Sequence, residues 1–151
     1  MSEINSKENI ILRPATMGDA KLLFDWRNDP ETRMQSIDTG EVFWDKHLEW
    51  LKKSLSNQNR KIIIAKIKGQ PVGTIRLDIG KPRSELSWTV APSARGKGVG
   101  TKMVLKAIQF FSCPLLAKIK PGNLASMKIA EKAGFQKQSS GTEITEWHYD
   151  S

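Results

Sequence analysis

The sequence predicts one mixed α/β domain of the α+β kind over residues 1–151, with a mostly antiparallel central sheet of about six to seven strands flanked by about four helices. A chain of 151 residues is long enough to bury one core. Short alternating segments joined by Gly and Pro turns fill the middle of the chain, which predicts antiparallel strands. After residue 98 helical spacing of apolar residues alternates with short apolar segments, which adds helices to the sheet.

The elements before residue 60 are predicted to be a strand and two helices. A strand is expected over residues 9–14, and Asp19 is expected to cap the helix that follows. The tripeptide at 28–30, Asn-Asp-Pro, is expected to break that helix. Apolar residues at helical spacing predict a second helix from about 42 to 55.

The elements after residue 60 begin with a predicted antiparallel meander of three strands. Residues 61–67, 72–79 and 85–90 are apolar or alternate between apolar and polar, and short turns join them. A helix opening near Gly98 follows. The remaining predicted elements are a strand at 115–119, a helix at 123–133 that Gly134 ends, and a strand pair at 135–138 and 143–148 around a turn at 139–141.

Charge and composition narrow the classes of function. The net charge of +8 favours anionic ligands, but Lys and Arg are spread along the chain, so a phosphate-binding role and a solvated lysine-rich surface both stay open. The lone Cys113 and the polar N-terminus predict a cytoplasmic protein. No apolar run approaches the roughly 20 residues of a membrane span. We expect no membrane, nucleic-acid or metal partner, since no matching motif is present.

The most informative segment joins a predicted strand to a predicted helix at residues 90–101. Gly96, Gly98 and Gly100 alternate with other residues where the helix begins, and glycine lets a ligand approach the backbone closely. The first amides of a helix have no partner within it and lie at the positive end of the helix dipole, which suits phosphate. Arg95 and Lys97 add positive charge. A glycine-rich connection without a ligand is the alternative.

Two motifs at this separation resemble the GNAT acetyltransferases. Residues 95–100, Arg-Gly-Lys-Gly-Val-Gly, match the Arg/Gln-x-x-Gly-x-Gly/Ala motif of that family. Residues 123–126 followed by 131–135 resemble its Asn-x-x-Ala/Ser helix, which ends in Lys-x-Gly-Phe. The resemblance implies the GNAT fold, acetyl-CoA as co-substrate and no metal. It also implies that the strand ending at Val90 splays from the strand at 115–119, often with a bulge.

The resemblance further implies where acetyl-CoA lies. The pantetheine arm is expected in the gap between the splayed strands, paired with backbone groups of residues 88–90. The pyrophosphate is expected on amides of residues 96–101, with the helix at 123–133 on the other side. The expected cofactor-binding residues are therefore Trp88, Thr89, Val90, Arg95, Gly96, Lys97, Gly98, Val99, Gly100, Thr101, Asn123 and Ser126.

Acetyl transfer to an amine needs a base for the amine proton and a donor for the thioester oxygen. Glu85 is the candidate base, the alternative being a solvent-facing glutamate on the polar face of its strand, and the Val90 amide is the candidate donor. The family often has a tyrosine acid seven residues after the helix asparagine, where this chain has Ala130. Tyr149 is the candidate acid, and Ser126, a water or an unprotonated thiolate are the alternatives.

A narrower resemblance concerns the acceptor. Residues 26–30 with Arg33, then His47 and Trp50, resemble a GNAT subgroup that acetylates amino sugars on nucleotide carriers for surface polysaccharides. Parts of this pattern also occur in ribosomal-protein N-terminal acetyltransferases. The favoured acceptor is a small-molecule amine, a nucleotide-linked amino sugar; a protein N-terminus and a non-catalytic acetyl-CoA-binding module are the alternatives. A homodimer is left open.

Four residues are the candidate contacts for that acceptor, and each has a structural alternative. Arg27 and Asn28 could bind phosphate or sugar or could instead close the end of their helix. His47 could orient the substrate, although packing within its helix is favoured. Arg76 could contact the substrate or only pair with Asp78.

Overall fold

The computed structural model describes residues 9–139 and 144–150, so the predicted turn at 139–141 and the start of the predicted last strand at 143 lie partly outside them. The strands are β1 (Ile10–Pro14), β2 (Arg60–Ile67), β3 (Gln70–Asp78), β4 (Ser84–Val90), β5 (Leu115–Ile119), β6 (Gln136–Ser139) and β7 (Thr145–Tyr149). The α-helices are α1 (Ala20–Asn28), α2 (Pro30–Gln35), α3 (Trp44–Leu55), α4 (Val99–Phe111) and α5 (Leu124–Ala133), with single 3-10 turns at Met17–Asp19 and Pro92–Ala94. None of the described helices combines the length and apolar character needed to cross a bilayer.

The sheet has seven strands in the order β1-β2-β3-β4-β5-β7-β6, which confirms the predicted mixed and mostly antiparallel architecture. The pairing of β4 with β5 is parallel and covers only Ser84 with Leu115 and Glu85 with Leu116. Beyond Glu85 the two strands diverge, so the predicted splay is present. The bulge expected in β4 is absent, because its register with β3 runs unbroken from Gly73–Val90 to Asp78–Glu85.

The two faces of the sheet serve different purposes. Strand alternation places Arg76 and Asp78 of β3 on the same face as their cross-strand partners Ser87 and Glu85 of β4. This polar face is the one turned towards α3, since Arg60, which pairs with Asp78 across β2 and β3, donates to Ser54 of α3 at 3.1 Å. The opposite face is apolar and carries the main contacts with α4.

The contact between β3 and α4 depends on a glycine. A Cβ at Gly73 would lie 2.5 Å from Cε of Met103 and 2.6 Å from the carbonyl oxygen of Thr89. Met103 is fully buried there, together with Ile75 and Leu86 of the sheet. This close packing fixes α4, and therefore the loop before it, relative to β4.

Of two local predictions about the first helices, the side-chain cap by Asp19 is wrong, and the break of α1 at residues 28–30 is confirmed. Asp19 does not cap α1; its carboxylate accepts from the Thr16 amide at 2.8 Å and from Arg13 at 2.7 and 2.8 Å, and the hydrogen bond from Arg13 lowers the pKa of Asp19. The Asp29–Pro30 pair ends α1 but also starts α2, because Asp29 caps the Thr32 amide at 3.1 Å and proline suits the first helical position.

Candidate active site

A cleft of about 870 Å³ opens where β4 and β5 diverge, between the two helical layers. Most of the residues predicted for the site line it: Arg27, Arg76, Glu85, Trp88, Thr89, Val90, Arg95, Gly96, Gly98, Val99, Gly100, Thr101, Asn123 and Ser126. Four predicted site residues do not line it: Asn28, His47, Lys97 and Tyr149.

The loop before α4 has the open backbone that the sequence predicts. Gly96 and Gly98 have φ values of 76° and 75°, in the left-handed region that glycine adopts without strain. A Cβ at either position would meet no atom within 4 Å, so the space over the loop is open. Gly98 is the N-cap of α4 and gives its first amides no side-chain acceptor. These amides therefore suit a bound anion.

Gly100 is required for a different reason from the one the motif suggests. Its Cβ would lie 2.4 Å from Cδ1 of Ile129 and 3.1 Å from Cγ2 of Val90. Gly100 is buried, with a backbone in the ordinary helical range, and so it brings α4 against α5 and β4. The third glycine of the motif thus shapes the wall of the cleft through packing.

The two positive side chains predicted to attract phosphate to this loop, Arg95 and Lys97, both have partners within the protein. Arg95 forms ion pairs with Asp29 and Glu31 at 2.9 Å each and donates to Oγ1 of Thr32 at 2.8 Å. Burial opposes the ionisation of Asp29, but hydrogen bonds from Thr32 and Arg95 outweigh it and lower the pKa of that carboxyl. Lys97 does not line the cleft and donates to the Ser93 carbonyl at 3.4 Å. The cation of Arg95 is therefore already compensated.

Asn123 and Ser126 lie opposite the glycine loop and are linked to each other. Oδ1 of Asn123 accepts from the Ser126 amide at 3.1 Å, which makes Asn123 the N-cap of α5. Both residues are half-buried and line the cleft. The hydrogen bond between them therefore fixes the start of α5 at the point where this helix forms one wall of the cleft.

Glu85 lies at the last paired position of β4, where the splay begins. Its side chain is 29% exposed, and one carboxylate oxygen is 3.9 Å from Nζ of Lys118 on β5. The carboxylate shares the polar face of the sheet with Asp78, its cross-strand partner. Its position in the cleft is compatible with a base, and the catalytic role stays a prediction.

Trp88 follows on the other face of β4, and its ring packs edge-on against Phe135 at a centroid distance of 6.2 Å. Its indole nitrogen is buried and finds no acceptor among the described residues. On the β5 side, the backbone from Ser87 to Val90 has no strand partner. This unpaired edge and the open glycine loop together fit an extended ligand that ends in a diphosphate.

His47 is fully buried and packs within the contacts of α3, which is the role that the sequence favoured over substrate binding. Nε2 lies 2.8 Å from the Ala20 carbonyl, so it carries the proton and leaves Nδ1 to accept from Arg27 at 3.1 Å. Burial lowers the pKa of His47, and the neighbouring Arg27 lowers it further despite the opposing Ala20 hydrogen bond. His47 is therefore neutral at pH 7 and orients Arg27.

Arg27 and Arg76 bring two guanidinium groups to the acceptor side of the cleft. Arg27 lies over the Trp50 ring, 4.2 Å from its centroid. No carboxylate of the described residues is within ion-pair distance of Arg27, whereas Arg76 pairs with Asp78 at 3.1 Å. Burial and the charge of Arg76 lower the pKa of Arg27 against the opposing charge of Asp38, and the guanidinium stays protonated.

Asn28 and Tyr149 have structural roles outside the cleft. Asn28 donates to the Val42 carbonyl at 2.7 Å and accepts from the Val42 amide at 2.8 Å, so it closes the segment between α1 and α3. Tyr149 packs against Phe135 at 5.6 Å. The structure does not bring Tyr149 to the site for which it was predicted as the acid; Ser126 remains in the cleft, and Ala130 is fully buried.

The sequence reasoning missed the contribution of α2. Asp29, Glu31 and Thr32 hold Arg95, and Glu31 and Thr32 also line the cleft. A signal was present, because Asp before Pro followed by Glu is a typical helix start. Trp50 was named as part of the acceptor-subgroup resemblance, and its contact with Arg27 depends on tertiary structure alone.

Comparison with known proteins identifies the family. Residues 9–136 match the family model described as acetyltransferase (GNAT) domain. The chain belongs to the GNAT acetyltransferases. It is therefore an acetyltransferase, and the predictions of the family, its fold and acetyl-CoA as acetyl donor are confirmed.

Individual relatives of this GNAT protein act on amines. The chain is 26% identical over 166 residues to aminoglycoside N(6')-acetyltransferase type 1 of Klebsiella pneumoniae, with 91% of the chain and 79% of the relative covered. Among solved structures, AAC(6')-Ib in complex with paromomycin and acetyl-CoA has a TM-score of 0.79 at 20% identity, covering 93% of this chain and 92% of that one. Spermidine N-acetyltransferase of Vibrio cholerae with CoA and spermine has a TM-score of 0.83 at 14% identity, covering 93% and 94%.

Proposed function

We propose that this GNAT enzyme acetylates the primary amine of a small acceptor that also carries an anionic group, and we favour the nucleotide-linked amino sugar predicted from the sequence. The supporting observation is Arg27, a cation in the cleft that forms no ion pair among the described residues and feels the charge of Asp38 only at longer range. His47 and Trp50 hold its guanidinium in place from the inside. A preorganised guanidinium binds phosphate or carboxylate through paired hydrogen bonds.

Acetyl-CoA supplies the acetyl group as a thioester. The amides of residues 96–101 are the proposed contacts for its diphosphate, since the loop is open and α4 begins there. The unpaired edge of β4 at residues 88–90 is the proposed contact for the extended arm. Asn123 and Ser126 form the opposite wall.

Glu85 is the proposed base. The acceptor amine must lose a proton to become a nucleophile, and the carboxylate of Glu85 lies at the start of the splay to receive it. The Val90 amide is the proposed donor to the oxygen that gains negative charge. A CoA thiolate is stable enough to leave without a protein acid, so Tyr149 is not needed in this scheme.

The walls of the cleft favour a small anionic acceptor over the alternatives. Arg27 has no carboxylate of the described residues within ion-pair distance and so repels a polycation, whereas Arg76 is paired with Asp78. The carboxylates of Glu31, Asp38 and Glu85 also line the cleft. We therefore rank aminoglycosides and polyamines below an acceptor that carries both an amine and an anionic group. A peptide N-terminus needs an open groove, whereas α2 and the segment that follows it, up to Val42, line one side of the cleft. We also propose that the protein is located in the cytoplasm, where acetyl-CoA is available.

A parallel assay of acceptors tests the proposal. CoA release is measured with a nucleoside-diphosphate amino sugar, kanamycin, spermidine and an N-terminal peptide. We expect turnover of the nucleotide sugar, and Arg27→Ala should raise its KM about 10- to 100-fold, the cost of a charged hydrogen bond. Lys21→Ala is the control, because Lys21 lies on the same helix as Arg27, is exposed, pairs with Asp25 at 2.7 Å and does not line the cleft. Preferred turnover of kanamycin or spermidine would contradict the proposal.

A further inference from the structure

Helix α2 borders the cleft, but it buries no residue against the rest of the protein. Glu31, Thr32 and Gln35 line the cleft, yet none of the six residues of α2 is buried. A helix of this length is not stable by itself in water. The position of residues 29–35, which we call the strap, must therefore come from contacts with the rest of the protein.

The first tether of the strap is Arg95, which lies 64 residues from Glu31 in the sequence. The guanidinium pairs with Asp29 and Glu31 at 2.9 Å each and donates to Oγ1 of Thr32 at 2.8 Å. Asp29 is at the same time the N-cap of α2. One carboxylate thus joins the start of the strap to the loop that precedes α4.

The second tether is Lys120, between β5 and α5. Its Nζ donates to the carbonyl oxygen of Met34 at 2.9 Å, in the last turn of α2. Lys120 is followed closely by Asn123, the N-cap of α5. Both tethers therefore come from segments that flank the proposed diphosphate site.

We propose that Arg95 and Lys120 are positioning residues that couple the donor site to the acceptor side of the cleft by holding the strap. The inference rests on the proposed function, because it requires the donor at residues 96–101. The loop around Arg95 has two left-handed glycines with open space about them, so a ligand can contact its backbone directly. A ligand that fixes the loop also fixes Arg95, and hence the strap.

This coupling is reciprocal. If acetyl-CoA orders the strap, an acceptor that contacts the strap binds more tightly to the donor complex than to the free enzyme, and the converse holds by the same factor. Arg95 therefore acts on the acceptor through α2 and not through contact with the donor phosphates. Its loss should raise the KM of the acceptor more than that of acetyl-CoA.

Hydrogen–deuterium exchange with CoA as the probe tests this without knowledge of the acceptor. In the wild type we expect CoA to slow exchange about tenfold at residues 31–38 as well as at 99–103. Arg95→Gln is the sharpest variant, since the GNAT motif accepts glutamine there and the glycines stay intact. It should retain protection at 99–103 and lose it at 31–38. Glu31→Gln, which leaves the donor loop unchanged, should weaken the strap's protection in the same way.

Lys97→Gln is the matched control, because it removes the same charge from the same loop without touching the strap. It should leave the coupling between CoA and residues 31–38 in place. Protection at 99–103 without protection at 31–38 in the wild type would overturn the coupling alone. Unchanged protection of the strap in Arg95→Gln would do the same. No effect of CoA anywhere would overturn both the coupling and the proposed donor site.

Discussion

Guanidinium groups in one cleft differ in function because their neighbours differ. Arg95 is compensated by Asp29 and Glu31, so it tethers. Arg27 faces a neutral imidazole and an indole ring, so its charge stays available to a ligand. Every arginine side chain carries a positive charge. Whether carboxylates of the protein neutralise that charge decides whether the arginine can bind substrate or instead holds two segments together.

The neutral state of His47 predicts how stability depends on pH. The unfolded chain takes up a proton near the ordinary histidine pKa of about 6.5, whereas burial lowers the pKa in the folded state. As the pH falls, the unfolded state is therefore protonated before the folded state, and this stabilises the unfolded state relative to the folded one. The free energy of unfolding should fall below pH 7 by at most about 1.4 kcal/mol per pH unit, the limit for one proton. Urea denaturation from pH 7.5 to 5.5 measures it.

Two glutamine variants separate His47 from other groups that titrate. His47→Gln can still donate to the Ala20 carbonyl and accept from Arg27, but it cannot take up the proton, so its stability should vary less with pH over this range. His148→Gln is the control: His148 is partly exposed and lies 2.7 Å from Glu146. An equally steep loss of stability in His47→Gln would show that the proton is bound elsewhere.

At the scale of elements, periodicity predicted the strands and helices that bury one face, whereas β2 is buried on both faces and was predicted from its unbroken apolar run. The strand at 115–119 is found at its predicted bounds, since Leu115, Ala117 and Ile119 alternate as buried residues. Helix α2 could not be found in this way, because it has no buried face. Its start was nevertheless encoded locally, in the cap Asp29 and in Pro30 at the first helical position.

The candidate site was predictable only where its chemistry lies in one segment. The glycine loop of residues 96–100 was found because unusual backbone needs unusual residues. The partners of Arg95 and the contact of Arg27 with Trp50 join distant parts of the chain, and no local pattern reports them. For the same reason Tyr149 was assigned a role that its position does not support.

The contact between α4 and α5 predicts the effect of Gly100→Ala. The new methyl group would overlap Cδ1 of Ile129, 2.4 Å away, and such overpacking costs about 1–3 kcal/mol. Ile129→Val removes that carbon and costs about 0.5–1.5 kcal/mol alone. The double variant should be more stable than the sum of the two losses implies, as measured by urea denaturation.

Gly98→Ala is the control for this comparison of single and double variants. Its Cβ meets nothing within 4 Å, so it should show no coupling to Ile129 and should cost about 1–2 kcal/mol through the left-handed backbone. Additive losses in the Gly100→Ala and Ile129→Val pair would mean that the helices separate instead of clashing.

At the scale of the whole molecule, the splay between β4 and β5 marks the junction between two parts of one sheet, which share a single hydrophobic core. The meander β1–β4 lies on one side, and β5–β7 on the other, with only two residue pairs between them. The cleft occupies this junction and touches α4 and α5 as well. A ligand there contacts both halves of the sheet at once.

Binding of CoA should therefore stabilise the entire domain. A ligand that binds only the folded state at 100 times its Kd adds about 2.7 kcal/mol. For a chain of this size that corresponds to a rise in Tm of roughly 5–10 °C. Differential scanning calorimetry measures it, with adenosine as the control because it lacks both the diphosphate and the arm that would bridge the splay. An equal rise with adenosine, or none with CoA, would mean that the junction of β4 and β5 is not the donor site.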